Sequence, residues 1–323
     1  MKKRIYTKIG TISLLLLLTT WVTTAQNKSG IIKTNNIEIA YESFGSINNE
    51  TILLIQGTGV QLTGWPIELC ERLAEKGYHV IRFDNRDVGL SSKLDELGMP
   101  DWADIIPKIG TCDMTYLQYS LNDMAADAVG LLNELKIEKA HIVGVSMGGA
   151  IAQIIAINFP NKTLSLTSIM ASSGNPMAQK GNPDVLQTMA TPPPMTDDID
   201  ALTNYFFTIY KAIGSKGYPT PDNILKERAR KSIQRSWYPL GLARQAAAVI
   251  IGDNCDRRQQ LNNIKIPVVV IHGDADPVVN VEAGKEVAKA IPNAKLIIIP
   301  GMGHDLPDAL IPNLIEGILL ATK

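Results

Sequence analysis

The pentapeptide Gly144-Val145-Ser146-Met147-Gly148 constrains this chain more than any other stretch. An apolar run, His141-Ile142-Val143, precedes it, and Gly149-Ala150-Ile151-Ala152-Gln153-Ile154-Ile155-Ala156-Ile157 follows. That pattern is a strand, a turn too tight for side chains, then a helix. Glycine two residues to either side of a serine is the spacing of a nucleophile elbow. Such a turn strains the serine backbone, and bulk at either glycine would collide with the strand or the helix. The strain lifts the hydroxyl clear of the sheet at a helix N-terminus, whose partial positive charge favours an oxyanion. The competing reading is a glycine-rich strand-to-helix turn capped by a serine. A base, an acid and a second oxyanion donor elsewhere in the chain decide between the two.

At 323 residues the chain fits one α/β domain with an insertion. With 45% hydrophobic and 20% charged residues it has the material for a large core. A formal charge of −1 advertises no polyanion-binding surface, so no nucleic-acid partner is expected. The first 25 residues read separately: a basic start (Lys2-Lys3-Arg4), an apolar centre (Ile12 to Leu18) and a small-residue end (Thr23-Thr24-Ala25). This is the layout of a secretory signal peptide cleaved after Ala25, with an uncleaved anchor as the alternative. The chain is therefore expected in the periplasm or secreted, with no stable membrane insertion after cleavage. Losing Lys2, Lys3, Arg4 and Lys8 and no acid would move the formal charge from −1 to −5. Three cysteines, Cys70, Cys112 and Cys255, allow at most one intramolecular disulfide. Their spacing matches no metal or redox motif, and Cys70 falls on the apolar face of a helical stretch. No essential disulfide, metal or cofactor is expected.

Along the chain, residues 30–33 and 37–42 pair as a hairpin around Thr34-Asn35-Asn36. Residues 51–55 form an apolar strand running into Gln56-Gly57-Thr58-Gly59. A helix over 66–77, a strand over 79–83, a polar loop over 84–91 and a helix over 119–136 follow. After the elbow come a helix over 147–158 and a strand over 164–170. Residues 175–256 break the rhythm: prolines cluster at 192–194, and 201–213, 221–233 and 240–251 read as helices without a convincing strand. Alternation resumes with a strand at 267–271, a helix at 281–290, a strand at 295–299 and a helix at 306–320. Such alternation predicts a largely parallel sheet covered on both faces, with the first two strands as an antiparallel edge. The expected organisation is a signal peptide at 1–25, a core of 26–174 and 257–323, and a helical cap at 175–256. In such sheets ligands sit beyond the C-terminal ends of the strands.

Only four histidines exist to serve as base. His79 and His141 start strands and so lie on the wrong side of the sheet. His272 ends a strand and is not eliminated by position alone. His304, in Pro300-Gly301-Met302-Gly303-His304-Asp305, follows the last strand on a loop whose glycines let it reach another strand's tip. His304 is the expected base. For the acid, no carboxylate follows strand 164–170 until Asp184, whereas Asp274 and Asp276 follow strand 267–271. Asp276 is the choice, because Pro277 restricts its backbone and helps fix the carboxylate's aim. Asp274 reads as a turn-stabilising aspartate. The oxyanion donors expected are the amides of Met147 and Thr58, with Gly57 and Gly59 letting the loop approach.

Together the elbow, the 56–59 loop, Asp84 to Ser91, His272-Gly273-Asp274-Ala275-Asp276 and Gly301 to His304 resemble the α/β-hydrolase superfamily over nearly all of residues 30–323. Trp65-Pro66 and Asp84-Asn85-Arg86-Asp87-Val88-Gly89-Leu90-Ser91 resemble a bacterial branch that includes the aclacinomycin methylesterase-like enzymes. Ser146, Asp276 and His304 occur in that superfamily's chain order. The resemblance implies a serine hydrolase, foremost a carboxylic ester hydrolase working through an acyl-enzyme on a small-molecule ester. Lactonase, C–C hydrolase, aminopeptidase and cofactor-free haloperoxidase chemistry are alternatives on the same triad, and a slow-turnover ligand-binding protein is the alternative from another class. Gln56 departs from the histidine usual before the loop glycine, and Asp87 stands where glycine is usual. Asp84, Arg86 and Ser91 read as a hydrogen-bonded structural loop. Trp237, Tyr238, Tyr205, Phe206, Phe207 and Tyr210 either line an apolar pocket or form the cap's own core. Activity is expected to rise as His304 deprotonates near its reference pKa of about 6.5. Nothing in the sequence assigns an oligomeric state.

Overall fold

A computed structural model describes Met1, residues 27–178 and residues 180–323. Apart from Met1, the expected signal peptide lies outside the described residues. Strands β1 (Lys28–Thr34) and β2 (Ile37–Phe44) form the hairpin. Its two turn residues, Asn35 and Asn36, have φ of 49° and 64°. Consecutive left-handed residues match the twist of a two-residue hairpin, and asparagine tolerates that conformation. Then come β3 (Thr51–Ile55), β4 (His79–Phe83), β5 (Ala140–Val145), β6 (Thr163–Ile169), β7 (Val268–Gly273) and β8 (Lys295–Ile299). They make one sheet in the order β1-β2-β4-β3-β5-β6-β7-β8. Only the β1–β2 and β2–β4 pairs are antiparallel. This is the expected parallel sheet with an antiparallel edge.

The helices are α1 (Ile67–Glu75), α2 (Trp102–Ile105), α3 (Leu121–Glu134), α4 (Met147–Asn158), α5 (Pro183–Ala190), α6 (Ile199–Ile213), α7 (Asp222–Arg235), α8 (Pro239–Gly252), α9 (Arg258–Leu261), α10 (Val281–Ala290) and α11 (Ile311–Ala321). The central strands β3, β4, β5 and β7 are buried at every position, as strands covered on both faces must be. Their side chains alternate. Leu53, Ile55, Ile81, Ile142 and Val270 pack with α3 and α4 on one face. Ile52, Leu54, Val80, Val143 and Ile271 pack with α1 and α11 on the other. Two apolar layers thus hold the strands in register, and the C-terminal strand ends remain as a platform.

Helices α5 to α8 lie between β6 and β7, where sequence periodicity gave three helices and no strand. The fourth, α5, is only eight residues long and has no fully buried residue, so its apolar positions are too few to register as a period. It starts where Asn182 caps the amides of Asp184 and Val185 and Pro183 takes the first turn. Of the three cysteines, which allowed at most one disulfide, Cys112 and Cys255, 143 residues apart in sequence, are joined by a 2.01 Å S–S bond. Chain spacing alone could not show that the loop after β4 returns to the C-terminal end of α8. Cys70 is the free, buried cysteine, its thiol pushed up to about 12 by burial and so unreactive. Among the described residues no helix is long and apolar enough to cross a membrane.

Candidate active site

Ser146 occupies the elbow between β5 and α4 with φ 56° and ψ −124°, a backbone conformation that costs free energy in any non-glycine residue. Its amide is held by the Ile169 carbonyl at 2.9 Å. The flanking glycines are there for space. A methyl group on Gly144 would lie 1.9 Å from the Gly148 carbonyl, and one on Gly148 would lie 2.2 Å from the Ile55 carbonyl.

The loops after β7 and β8 bring Asp276 and His304 to this serine. His304 Nε2 lies 2.9 Å from Ser146 Oγ, and His304 Nδ1 lies 2.8 Å from Asp276 Oδ2. An ionised carboxylate only accepts, so Nδ1 carries the proton and Nε2 turns its lone pair to the serine. Asp276 Oδ1 accepts the amides of Val278 and Val279 at 2.8 and 2.9 Å. Burial works against a charged Asp276, but the His304 charge and the hydrogen bonds from His272 and His304 outweigh it and hold the carboxyl well below the usual range. Burial likewise works against a charged His304, but the Asp276 charge and hydrogen bond raise its pKa.

The other histidines are accounted for structurally. His79 pairs with Thr51 Oγ1 at 3.2 Å, and His141 with Ser165 Oγ at 2.8 Å. His272 is fully buried behind the acid, its Nε2 2.9 Å from the Val279 carbonyl and 3.5 Å from Asp276 Oδ2. Asp274 accepts the Gly301 amide at 2.6 Å, bracing the β7 loop against the β8 loop.

Residues 57–60 form a turn, closed by a 3.2 Å bond from the Val60 amide to the Gly57 carbonyl. A methyl on Gly57 would lie 3.6 Å from Ser146 Oγ, so this loop runs beside the serine. The Gly57 amide donates to Gln56 Oε1 at 3.0 Å and the Gly59 amide to Gln245 Oε1 at 2.7 Å. Among the described residues the amides of Thr58 and Met147 have no acceptor. Unpaired amides flanking a strained serine are what an oxyanion requires. The Gln56 side chain thus occupies the neighbouring amide and leaves Thr58 open.

The model of the alpha/beta hydrolase fold family matches residues 50–308 of this geometry's chain. The protein is an α/β hydrolase. It is 25% identical over 313 residues to a rhodomycin D methylesterase from Streptomyces peucetius, covering 91% of this chain and 97% of that protein. A second rhodomycin D methylesterase, from Streptomyces sp. strain C5, is 26% identical over 314 residues, with 91% and 97% covered. Among solved structures, a hydrolase from Pseudomonas aeruginosa PA01 superposes with a TM-score of 0.65 at 23% identity, covering 91% of this chain and 97% of that one.

In this hydrolase the 84–91 loop is tied to the helices between β6 and β7. Asp84 accepts the amides of Leu62 and Leu90 at 2.7 and 2.8 Å and the Arg235 guanidinium at 2.8 Å. Asp87 keeps the left-handed backbone that makes glycine usual there, with φ 68°. Its carboxylate, which a glycine would lack, binds Arg244 through two 2.8 Å bonds in a fully buried pair. Arg86 binds Asp127 at 2.6 and 2.8 Å, and Ser91 Oγ donates to the Asp84 carbonyl at 2.6 Å. Arg235, Arg244 and Gln245 were not singled out from sequence. The aspartate standing where glycine is usual at position 87 was the one signal, and nothing local pointed to a partner 157 residues away. Of the aromatics, Phe206 packs against Tyr205, Tyr210 and Trp237 at centroid distances of 5.1, 6.2 and 5.3 Å. Phe207 instead lies beneath Lys226, and Tyr238 donates to Asp95 at 2.5 Å. No group of three or more His, Cys, Asp or Glu side chains among the described residues could hold a metal ion.

Proposed function

We propose that the protein is a carboxylic ester hydrolase that acts on a small-molecule ester through Ser146, His304 and Asp276. The observation that carries the reading is the unbroken hydrogen-bond chain from Ser146 Oγ through His304 to Asp276, at 2.9 and 2.8 Å. His304 Nε2 takes the Ser146 proton as Oγ attacks the ester carbonyl carbon, and Asp276 stabilises the imidazolium. The developing oxyanion receives the amides of Met147 and Thr58, each worth roughly 3 kcal/mol. The tetrahedral centre collapses, and the alcohol leaves with the proton from His304. Water, deprotonated by the same imidazole, then attacks the acyl-enzyme and releases the acid. The resemblance to two methylesterases across nine-tenths of the chain supports an ester over the alternatives.

Residues 175–256 act as the cap that shapes the pocket, a role supported by their contacts to the loops around Ser146. Export to the periplasm or the medium fits the basic-apolar-small leader and is supported by the Cys112–Cys255 bond, since such bonds persist in oxidising compartments. Turnover of short p-nitrophenyl esters tests the reading. Ser146→Ala should lose roughly 10⁴-fold or more of kcat. A variant that keeps most of its activity would remove Ser146 as nucleophile.

A further inference from the structure

The oxyanion loop is held by a side chain that arrives from the far part of the chain. Gln245, on α8, is fully buried. Its Oε1 accepts the Gly59 amide at 2.7 Å, and its Nε2 donates to the Arg86 carbonyl at 2.7 Å. Three residues earlier on the same helix face, Leu242 fills the space beside Gly59, where a methyl group would meet its Cδ1 at 2.4 Å. The preceding residue, Arg244, locks α8 to Asp87 through the buried pair. Gly59 itself has φ 69°, a conformation open to glycine, and besides the turn's own Val60–Gly57 bond it is these contacts from α8 that hold it in one orientation.

We propose that Gln245 is a positioning residue for ester hydrolysis, which fixes the oxyanion loop so that the Thr58 amide, and not the Gly59 amide, is presented to the reacting carbonyl. The inference rests on the esterase reading above and adds to it the group that selects the second donor. A carboxamide both accepts and donates in a single plane. Here it closes the Gly59 amide and anchors itself on the loop after β4 in one step. Gln56 Oε1 accepts the Gly57 amide at 3.0 Å on the other side. With both neighbours occupied, Thr58 supplies the one amide of the three left for an oxyanion. Without Gln245 the Gly59 amide becomes a rival donor, and the turn can rotate its peptide planes. A tetrahedral oxygen then meets a loop that must first reorder, whereas a ground-state ester, which asks little of the hole, binds much as before.

The test compares Gln245→Met, which keeps the bulk and loses both bonds, with Leu242→Ala, which loosens the same helix face and keeps them. Gln245→Asn, one methylene too short to span both partners, is the second variant should the first fail to fold. Active serine is titrated from the burst of a p-nitrophenyl ester, and kcat is expressed per titrated site. An alkyl boronic acid, whose adduct on Ser146 places an oxygen in the hole, provides an equilibrium readout. Loss of aim in one donor predicts kcat lower by about 10- to 100-fold, KM within about threefold, and boronate affinity reduced in step with kcat. If Gln245→Met and Gln245→Asn keep kcat and boronate affinity within about twofold of the parent, or lose no more than Leu242→Ala, the proposal is overturned. A parent protein with no burst and no boronate binding would instead overturn the esterase reading and this inference with it.

Discussion

Removing the guanidinium of Arg244 should be among the most damaging single changes outside the reacting groups. Arg244→Met leaves the Asp87 carboxylate fully buried without its cation, with the Leu94 amide donating at 2.9 Å and the Tyr119 hydroxyl as a neighbour. A buried charge stripped of its partner costs about 3–5 kcal/mol, a large share of the roughly 5–15 kcal/mol that holds a domain folded. The reverse change, Asp87→Gly, leaves the guanidinium with the Gly98 carbonyl at 2.5 Å and the Tyr238 hydroxyl at 2.9 Å. Its cost should be smaller, because glycine adopts the φ of 68° without the roughly 1 kcal/mol that an L side chain incurs there. The double variant leaves no buried charge and should be more stable than Arg244→Met alone. Urea denaturation of the parent and the three variants measures the coupling. If the two single losses add up to the double within about 0.5 kcal/mol, the pair does not interact and the reasoning fails.

The pH dependence follows from the raised His304 pKa. The imidazole must be neutral to accept the serine proton, so a pKa raised by Asp276 moves the acid limb of kcat/KM above the reference value of about 6.5 anticipated from sequence. In Asp276→Asn the charge is gone and burial dominates, so the limb should shift to lower pH while kcat falls about 10⁴-fold; a limb that stays in place or moves up would contradict the assignment. Reducing the Cys112–Cys255 bond, or replacing both residues by serine, should cost about 2–5 kcal/mol, read as a lower Tm, because it frees a long loop in the unfolded chain. Cys70 should stay unmodified by thiol reagents in the folded protein, and rapid labelling would show that it is not the buried thiol described here.

Legibility from sequence divided along the range of the interactions. The elbow, the strands and the loop histidine were readable because each depends on a neighbour within a few residues: glycine beside Ser146, alternation in β3 to β5, glycines at 301 and 303. Asp276 was readable because topology sends the ends of β7 and β8 to one edge, and Pro277 singled it out from Asp274. The contacts of Asp87 and Gly59 with α8 were not, since partners 157 and 186 residues away leave no periodic signal. The pairing of Cys112 with Cys255 was hidden for the same reason. Helix α5 was hidden for another reason: its eight residues are shorter than the stretch over which a 3.6-residue period can be read.

The long-range contacts bear on how substrate choice and rate can be separated in this hydrolase. On the histidine side, the His304 amide donates to the Ile213 carbonyl at 2.8 Å, and the Gly217 amide to the Gly301 carbonyl at 2.9 Å. Ser215 Oγ accepts the Gly303 amide at 2.8 Å and donates to Asp305 at 2.5 Å. On the oxyanion side, Arg235, Arg244 and Gln245 hold the loops that carry Thr58 and Asp84 to Asp87. The segment between β6 and β7 therefore does two jobs at separate places. Residues 213–217 and 235–245 hold the loops that carry His304 and Thr58, so on the proposed mechanism changes there should alter kcat whatever they do to binding. Helix α5 and the proline-rich stretch after it have no fully buried residue and hold neither of these loops, although the Asn182 amide at the start of α5 donates to the Pro277 carbonyl at 2.7 Å beside Asp276. If the cap sets specificity, that outer portion is where substitutions can redirect it without moving His304 or Thr58.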